Sequence, residues 1–149
     1  MALKLNLRPG EKIVINGAVI VNGDRKTSVA VKNFAHILRE SDVMQEENAT
    51  TPTRRTYFVA QLMLLDPDNV SRYAESYRSH LDDLLKVYSN QEVVALLKET
   101  LSHLERQDFY KILANLRKVI KYEDLLLAGV KLQALPDDDG EPHGGSEGA

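Results

Sequence analysis

The chain has 149 residues, a net charge of -3, 43% hydrophobic residues and no cysteine. That length suits one compact domain, and the missing cysteines exclude a disulfide framework or a thiolate metal site and point to a reducing compartment. With no basic-then-apolar leader pattern and no apolar run near the roughly 18 residues of a membrane span, the chain reads as cytoplasmic and non-membrane.

Leu3, Leu5 and Leu7 alternate with Lys4 and Asn6, the period of two of a half-buried strand. Arg8-Pro9-Gly10-Glu11 is a turn, with Pro setting φ and Gly able to take φ above zero. Lys12 to Ile15 ends at Asn16-Gly17 and Ala18 to Val21 ends at Asn22-Gly23, two hairpin signals between β-branched runs. Thr27 to Val31 adds another strand, so residues 1–48 are predicted to form a small antiparallel β-meander. Lys4, Arg8, Lys12, Arg25, Lys26 and Lys32 face only Glu11 and Asp24 in its first 32 residues. Such a basic half is the electrostatic footprint of a protein that meets a polyanion. Asn33 to Gln45 fits a helical face or a short strand, with a slight preference for strand, and Glu46 to Thr50 is a polar loop.

Residues 49–67 are predicted to be a connector helix. Thr51 offers a cap for the first free amides, and Pro52 fits the first helical position. Only Gln61 is polar between Tyr57 and Leu65, so this helix should be buried between the two halves. Arg54-Arg55 lies in the first turn, where the macrodipole disfavours a cation by roughly 0.3–1 kcal/mol. A local ion pair with Glu46 or Glu47 would compensate; alternatively Arg54, Arg55 and Tyr57 form a phosphate-binding or partner-binding face.

Residues 68–134 are predicted to be a helical hairpin or bundle. Asp66-Pro67-Asp68 starts one helix, whose apolar face is Val70, Tyr73, Ala74, Tyr77, Leu81, Leu84, Leu85 and Tyr88. Ser89 and Glu92 form a capping box for the next, with Val93, Leu97, Leu101 and Leu104 as its stripe. After a break near Arg106-Gln107-Asp108, a last helix carries Phe109, Ile112, Leu113, Leu116, Val119 and Ile120 toward Leu127. The whole is an α+β chain: antiparallel strands, then antiparallel helices. Residues 135–149 hold five acids and no Lys or Arg, and read as a disordered acidic tail; setting those acids aside leaves the body at +2.

No catalytic signature is present: there is no Gly-rich phosphate loop, nucleophile elbow or HExxH. His36, His80, His103 and His143 lie far apart and form no ligand pattern, so neither a metal nor a cofactor is expected.

The run Leu5-Asn6-Leu7-Arg8-Pro9-Gly10-Glu11 with Ile15-Asn16-Gly17-Ala18, the central Ala49-Thr50-Thr51-Pro52-Thr53-Arg54-Arg55 with Tyr57-Phe58 and Gln61-Leu62-Met63, and Phe109-Tyr110-Lys111-Ile112-Leu113 with Leu116-Arg117 and Tyr122-Glu123 resemble three blocks of the FlbT family of flagellar regulators. The central block is the most specific. A departure falls at Gln107-Asp108-Phe109, where a Gly would be expected in the turn. The resemblance implies an alphaproteobacterial post-transcriptional regulator that associates with the untranslated leader of flagellin mRNA and promotes its degradation, opposed by a partner called FlaF. The opening hairpin also looks, more faintly, like the start of the small RNA-binding regulator CsrA. Two readings follow. In one, Lys4, Arg8, Lys12, Arg25, Lys26 and Lys32 bind RNA phosphates. In the other, the chain is a protein-binding adaptor for FlaF or flagellin, with a groove drawn from the helical tyrosines.

Overall fold

In a computed structural model, residues 3–129 are described as five strands, three short 3-10 turns and four helices. The strands are β1 (Leu3–Leu7), β2 (Lys12–Ile15), β3 (Ala18–Val21), β4 (Thr27–Val31) and β5 (Ile37–Arg39), and the helices α1 (Pro52–Leu65), α2 (Val70–Val87), α3 (Gln91–Glu105) and α4 (Phe109–Leu127). The α+β order matches the sequence reading, and the ambiguous stretch after Asn33 supplies the short strand β5. The tail expected over residues 135–149 lies outside the described residues.

The strand pairing departs from a meander. Asn16 and Gly17 take φ of 49° and 84°, the pair of positive values a type I′ turn requires, and close β2 on β3 from Ile15↔Ala18 to Lys12↔Val21. Beyond Lys12 the two arms stay paired, with Asn22 N–H donating to the Glu11 carbonyl and Gly10 N–H to that of Gly23, both at 2.9 Å. The ladder then resumes as β1 against β4, from Leu7↔Thr27 to Leu3↔Val31. Four strands are therefore two arms of one long hairpin, kinked where Arg8-Pro9 opposes Asp24 to Lys26. The Arg8–Glu11 turn forms, with Gly10 at φ 71° and Glu11 N–H on the Arg8 carbonyl at 3.1 Å, but it bends one arm instead of reversing the chain. Asn22-Gly23, expected as a second reversal, pins this kink: the Asn22 side-chain amide donates to the carbonyls of Arg8 at 2.7 Å and Arg25 at 2.9 Å. Folding this way lets β4 pair with β1, whose Leu5 and Leu7 join Ile13, Ala35 and Ile37 in a small core of their own.

The larger core is helical, with Val14 and Leu38 contributed by the sheet. α1 is its central element, packed on both α2 and α4. Tyr57, Ala60, Met63 and Leu64 of α1 are buried, whereas Phe58 and Leu62, expected in the core, are only half-buried. The polar exception, Gln61, is 1% exposed: its side chain accepts from Met44 N–H at 2.9 Å and donates to the Met44 carbonyl at 2.6 Å. A lone polar residue in an apolar helix is buried here because it ties down the incoming loop. β5 meets β2 from Ile15↔Ile37 to Ile13↔Arg39, and the hairpin tip rests on the far end of α1, where a Cβ on Gly17 would stand 3.3 Å from Pro67 Cδ.

Helix boundaries shift slightly from expectation. Asn90, not Ser89, caps α3, its Oδ1 accepting from the amides of Glu92 and Val93. Asp66 takes the side chains of Asn69 and Tyr73 instead of capping backbone amides. Leu101 faces outward and Thr100 takes the inner place, because its hydroxyl receives the buried Tyr77 hydroxyl at 2.7 Å. Gln107 sits at φ 56° in the α3–α4 turn, within the Gln107-Asp108-Phe109 run where the family pattern led us to expect a Gly.

Candidate nucleic-acid interface

All six cations singled out from the sequence lie exposed on the kinked hairpin or directly after it. The strand period places Leu3, Leu5 and Leu7 on the core side and Lys4 and Asn6 on the other. Asn6 lies opposite Ser28, whose hydroxyl bonds its Oδ1 at 2.8 Å. Arg8 and Lys26 converge: with Asn6, Leu7, Thr27 and Ser28 they line an open cavity of about 330 Å³ at the kink. Arg25 precedes Lys26 in the connection and Lys12 opens β2 just past the turn, so four cations surround the kink. Lys4 and Lys32 stand apart, near the open end of the hairpin where Leu3 pairs with Val31.

The acids are arranged to leave this patch positive. Glu11 is 8% exposed, accepts Arg8 N–H at 2.8 Å, and has its oxygens 3.6 Å from Arg8 Nε and 3.7 Å from Arg39 Nε. The amide bond from Arg8 is the largest cause holding its carboxyl below the ordinary value; the nearby Arg39 and Arg8 charges add to it and outweigh the opposing effect of burial. Glu11 therefore braces the kink from inside. Asp24 is left as the exposed acid among residues 3–32. Arg39 was missed from the sequence. Its register opposite Ile13 puts it on the face of Glu11, and its guanidinium donates to the Asn6 carbonyl at 2.6 Å.

Arg54, Arg55 and Tyr57 do not form a common outward face. Arg54 makes a bidentate pair with Asp124 of α4 at 2.7 and 3.0 Å and lies 3.6 Å from Glu123. Its place in the first turn of α1 is thus compensated by α4 and not by Glu46 or Glu47. Arg55 is exposed and borders a shallow depression with Glu46. Tyr57 is 3% exposed, donates its hydroxyl to the Asp42 carbonyl at 2.7 Å, and is pushed up in pKa by burial. This corrects its assignment as a partner-binding residue: the ring and hydroxyl are both committed inside.

The reason the central run carries Thr, Thr and Arg lies in Glu123. This buried carboxylate receives the Thr51 hydroxyl and the Thr53 N–H at 3.3 Å, with the Tyr88 hydroxyl at 3.4 Å. Tyr88 also shares a 2.7 Å bond with the Thr53 hydroxyl, and burial pushes its pKa up to about 12. A carboxylate at the N-terminus of α1 meets free amides and the positive end of the macrodipole together. The helical tyrosines are internal as well: Tyr77, Tyr88, Tyr110 and Tyr122 are buried, and half-buried Tyr73 gives its hydroxyl to Asp66. The sheet also exposes apolar surface, where β3 has one unpaired edge and leaves Val19 63% exposed beside Ile20 and Val21; Val87 and Leu127 at helix ends are exposed too.

Among the described residues no three His, Asp or Glu side chains form a group able to hold a metal ion, and no helix is long and apolar enough to cross a membrane. The family model described as flagellar protein FlbT matches residues 3–127. A "probable flagellum biosynthesis repressor protein FlbT" of Caulobacter sp. is 43% identical over 130 residues, covering 87% of this chain and 99% of that protein. The "flagellum biosynthesis repressor protein FlbT" of Caulobacter vibrioides is 40% identical over 134 residues, covering 87% and 92%. A Mesorhizobium japonicum protein named like the first is 35% identical over 127 residues, covering 85% and 86%. No solved structure matches. The chain belongs to the FlbT family.

Proposed function

We propose that this FlbT-family chain represses flagellum synthesis at the level of mRNA: its kinked hairpin binds unpaired RNA in the 5′ untranslated leader of flagellin mRNA, and binding promotes decay of the transcript. The supporting observation is that exposed Arg8 and Lys26 line one cavity at the kink, with exposed Lys12 and Arg25 next to it along the chain, Lys4 and Lys32 farther along the same hairpin, and Glu11 turned inward. The cations supply contacts to phosphate; Asn6, Thr27 and Ser28, in the same cavity, supply hydrogen-bonding groups for base edges or the 2′-hydroxyl. Cleavage of the message is assigned to a separate nuclease.

A second reading, a protein-binding adaptor for FlaF or flagellin, is favoured by the exposed apolar edge of β3, which suits addition of a partner strand. Exposed Arg55 could add a contact to a partner carboxylate there or elsewhere.

The test is a titration of leader RNA across a range of salt. On direct binding, log affinity falls linearly with log salt, by about 0.7 per phosphate contact for a single strand. Replacing Arg8, Lys12 and Arg25 together by Ala should weaken binding and flatten that slope by up to about 2. Unchanged affinity and slope would refute RNA binding by the hairpin. Loss of FlaF or flagellin binding on Val19→Lys, with RNA binding intact, would favour the adaptor.

A further inference from the structure

We propose that the basic kink has a second occupant, the acidic stretch Asp137-Asp138-Asp139-Gly140-Glu141 of the same chain, docked in cis. The docking does not depend on the polyanion being RNA; its effect on RNA affinity rests on the function proposed above.

Charge complementarity is the first argument. Arg8, Lys12, Arg25 and Lys26 lie exposed at or next to the kink, and Glu11 is held inside by the Arg8 amide and Arg39, with Arg8 the one cation of the four it reaches, at 3.6 Å. The carboxylates of residues 137–141 form the densest run of one sign in the sequence, and no Lys or Arg follows Lys131.

Reach is the second argument. The described chain ends just past α4, at Gly129, whose φ of 82° and N–H bond to the Leu126 carbonyl terminate the helix. That end of α4 is fixed to the first turn of α1 by Glu123 and Asp124. The kink is fixed to the same half of α1 by a different route. Arg39 binds Asn6 and Glu11 and leads directly into Glu40–Asp42, whose Asp42 carbonyl takes the Tyr57 hydroxyl. Both the end of α4 and the kink are thus tied to the N-terminal half of α1. The seven residues 130–136 can span at most about 23–25 Å, a reach that puts Asp137 within range of surfaces tied to this half of α1. A tether of this length also holds the carboxylates at millimolar effective concentration, so ion pairs that are individually weak act together.

The absence of native cysteine allows one paramagnetic label to be placed by Gly140→Cys in the full chain. At low ionic strength the label should broaden the amide signals of Arg8, Lys12, Arg25 and Lys26. The broadening should vanish at high salt and in a chain that also carries Asp137→Asn, Asp138→Asn, Asp139→Asn and Glu141→Gln. Broadening that is absent, or that persists in the neutralised chain, overturns the docking. In parallel, the neutralised chain without the label is titrated with a single-stranded uridine oligonucleotide at low salt. If about four-fifths of molecules are docked, neutralisation raises affinity about fivefold. Failure of both chains to bind the oligonucleotide would count against the RNA function and leave the broadening result standing.

Discussion

Truncating Glu123 to Ala should destabilise the chain by loosening the polar contact between α1 and α4. The side chain is buried and answers the Thr51 hydroxyl, the Thr53 N–H, the Tyr88 hydroxyl and the Arg54 guanidinium together. Its removal takes a cap from the first turn of α1, typically about 0.5–2 kcal/mol. The Thr51 hydroxyl also loses its acceptor, about 0.5–1.5 kcal/mol, while its oxygen keeps the Arg54 N–H at 3.1 Å. Relief from desolvating the carboxylate opposes these losses. Arg54 keeps its bidentate partner Asp124. The expected net loss is about 1–3 kcal/mol, a large share of the roughly 5–15 kcal/mol that holds an ordinary domain together. Glu123→Gln keeps one acceptor oxygen and should lose about half as much. Urea unfolding gives both values, and a cycle with Thr51→Val should show a coupling of at least about 0.5 kcal/mol. A loss below about 0.5 kcal/mol for Glu123→Ala, or no coupling to Thr51, would refute the assignment of this contact as a lock.

Gln107→Gly should stabilise the chain by about 0.5–1 kcal/mol in the same assay, because a non-Gly side chain is strained at φ 56°; destabilisation would refute that. Met63→Ala, at a fully buried site, should cost about 2–5 kcal/mol, and half-buried Phe58→Ala less; the reverse order in urea unfolding would contradict the packing of α1. Glu11 has a folded pKa below its ordinary 4.5, so its contribution is present above that value and is lost as pH falls through the lower folded value. Glu11→Gln should therefore be less stable than the parent at neutral pH, with the gap closing in acid; a gap independent of pH would show that its charge does not brace the kink.

Much of the fold was legible because its signals are local. Asn16-Gly17 dictates its own turn, and the periodicity from Val70 to Tyr88 dictates its own face. What local signals do not encode is which strand a strand pairs with. Asn22-Gly23 carries the same hairpin pattern as Asn16-Gly17, yet its amide is used on the carbonyls of Arg8 and Arg25, and that outcome is decided by where Leu5 and Leu7 are buried. Periodicity is equally blind to polar residues that belong inside. Gln61, Thr100 and Glu123 are buried because each has a partner far along the chain, at Met44, Tyr77 and Thr51 respectively. The six hairpin cations were legible as a charge excess, whereas Arg39 required the β2–β5 register to be recognised.

The distinctiveness of a family block is no guide to whether it carries function. The Thr-Thr-Pro-Thr-Arg-Arg run is the most specific of the three blocks, and the structure joins it to Glu123 of the third through Thr51 and Thr53. Thr51 caps α1 through the Arg54 N–H at 3.1 Å, as the sequence led one to expect, and Glu123 of α4 adds a second acceptor for the Thr53 N–H and the Thr51 hydroxyl. The opening block is chemically plainer, a strand, a turn and a strand, but it bends the hairpin so that Arg8 meets Lys26. Its core of Leu5, Leu7, Ile13, Ala35 and Ile37 is separate from the helical core, which carries Val14 and Leu38 of the same sheet. The cations are thereby held on a different element from the α1–α4 contact. Substitutions at the two places should consequently separate: those at Glu123 read out in global unfolding, and those at Arg8, Lys12 and Arg25 read out in binding with the unfolding midpoint nearly unmoved.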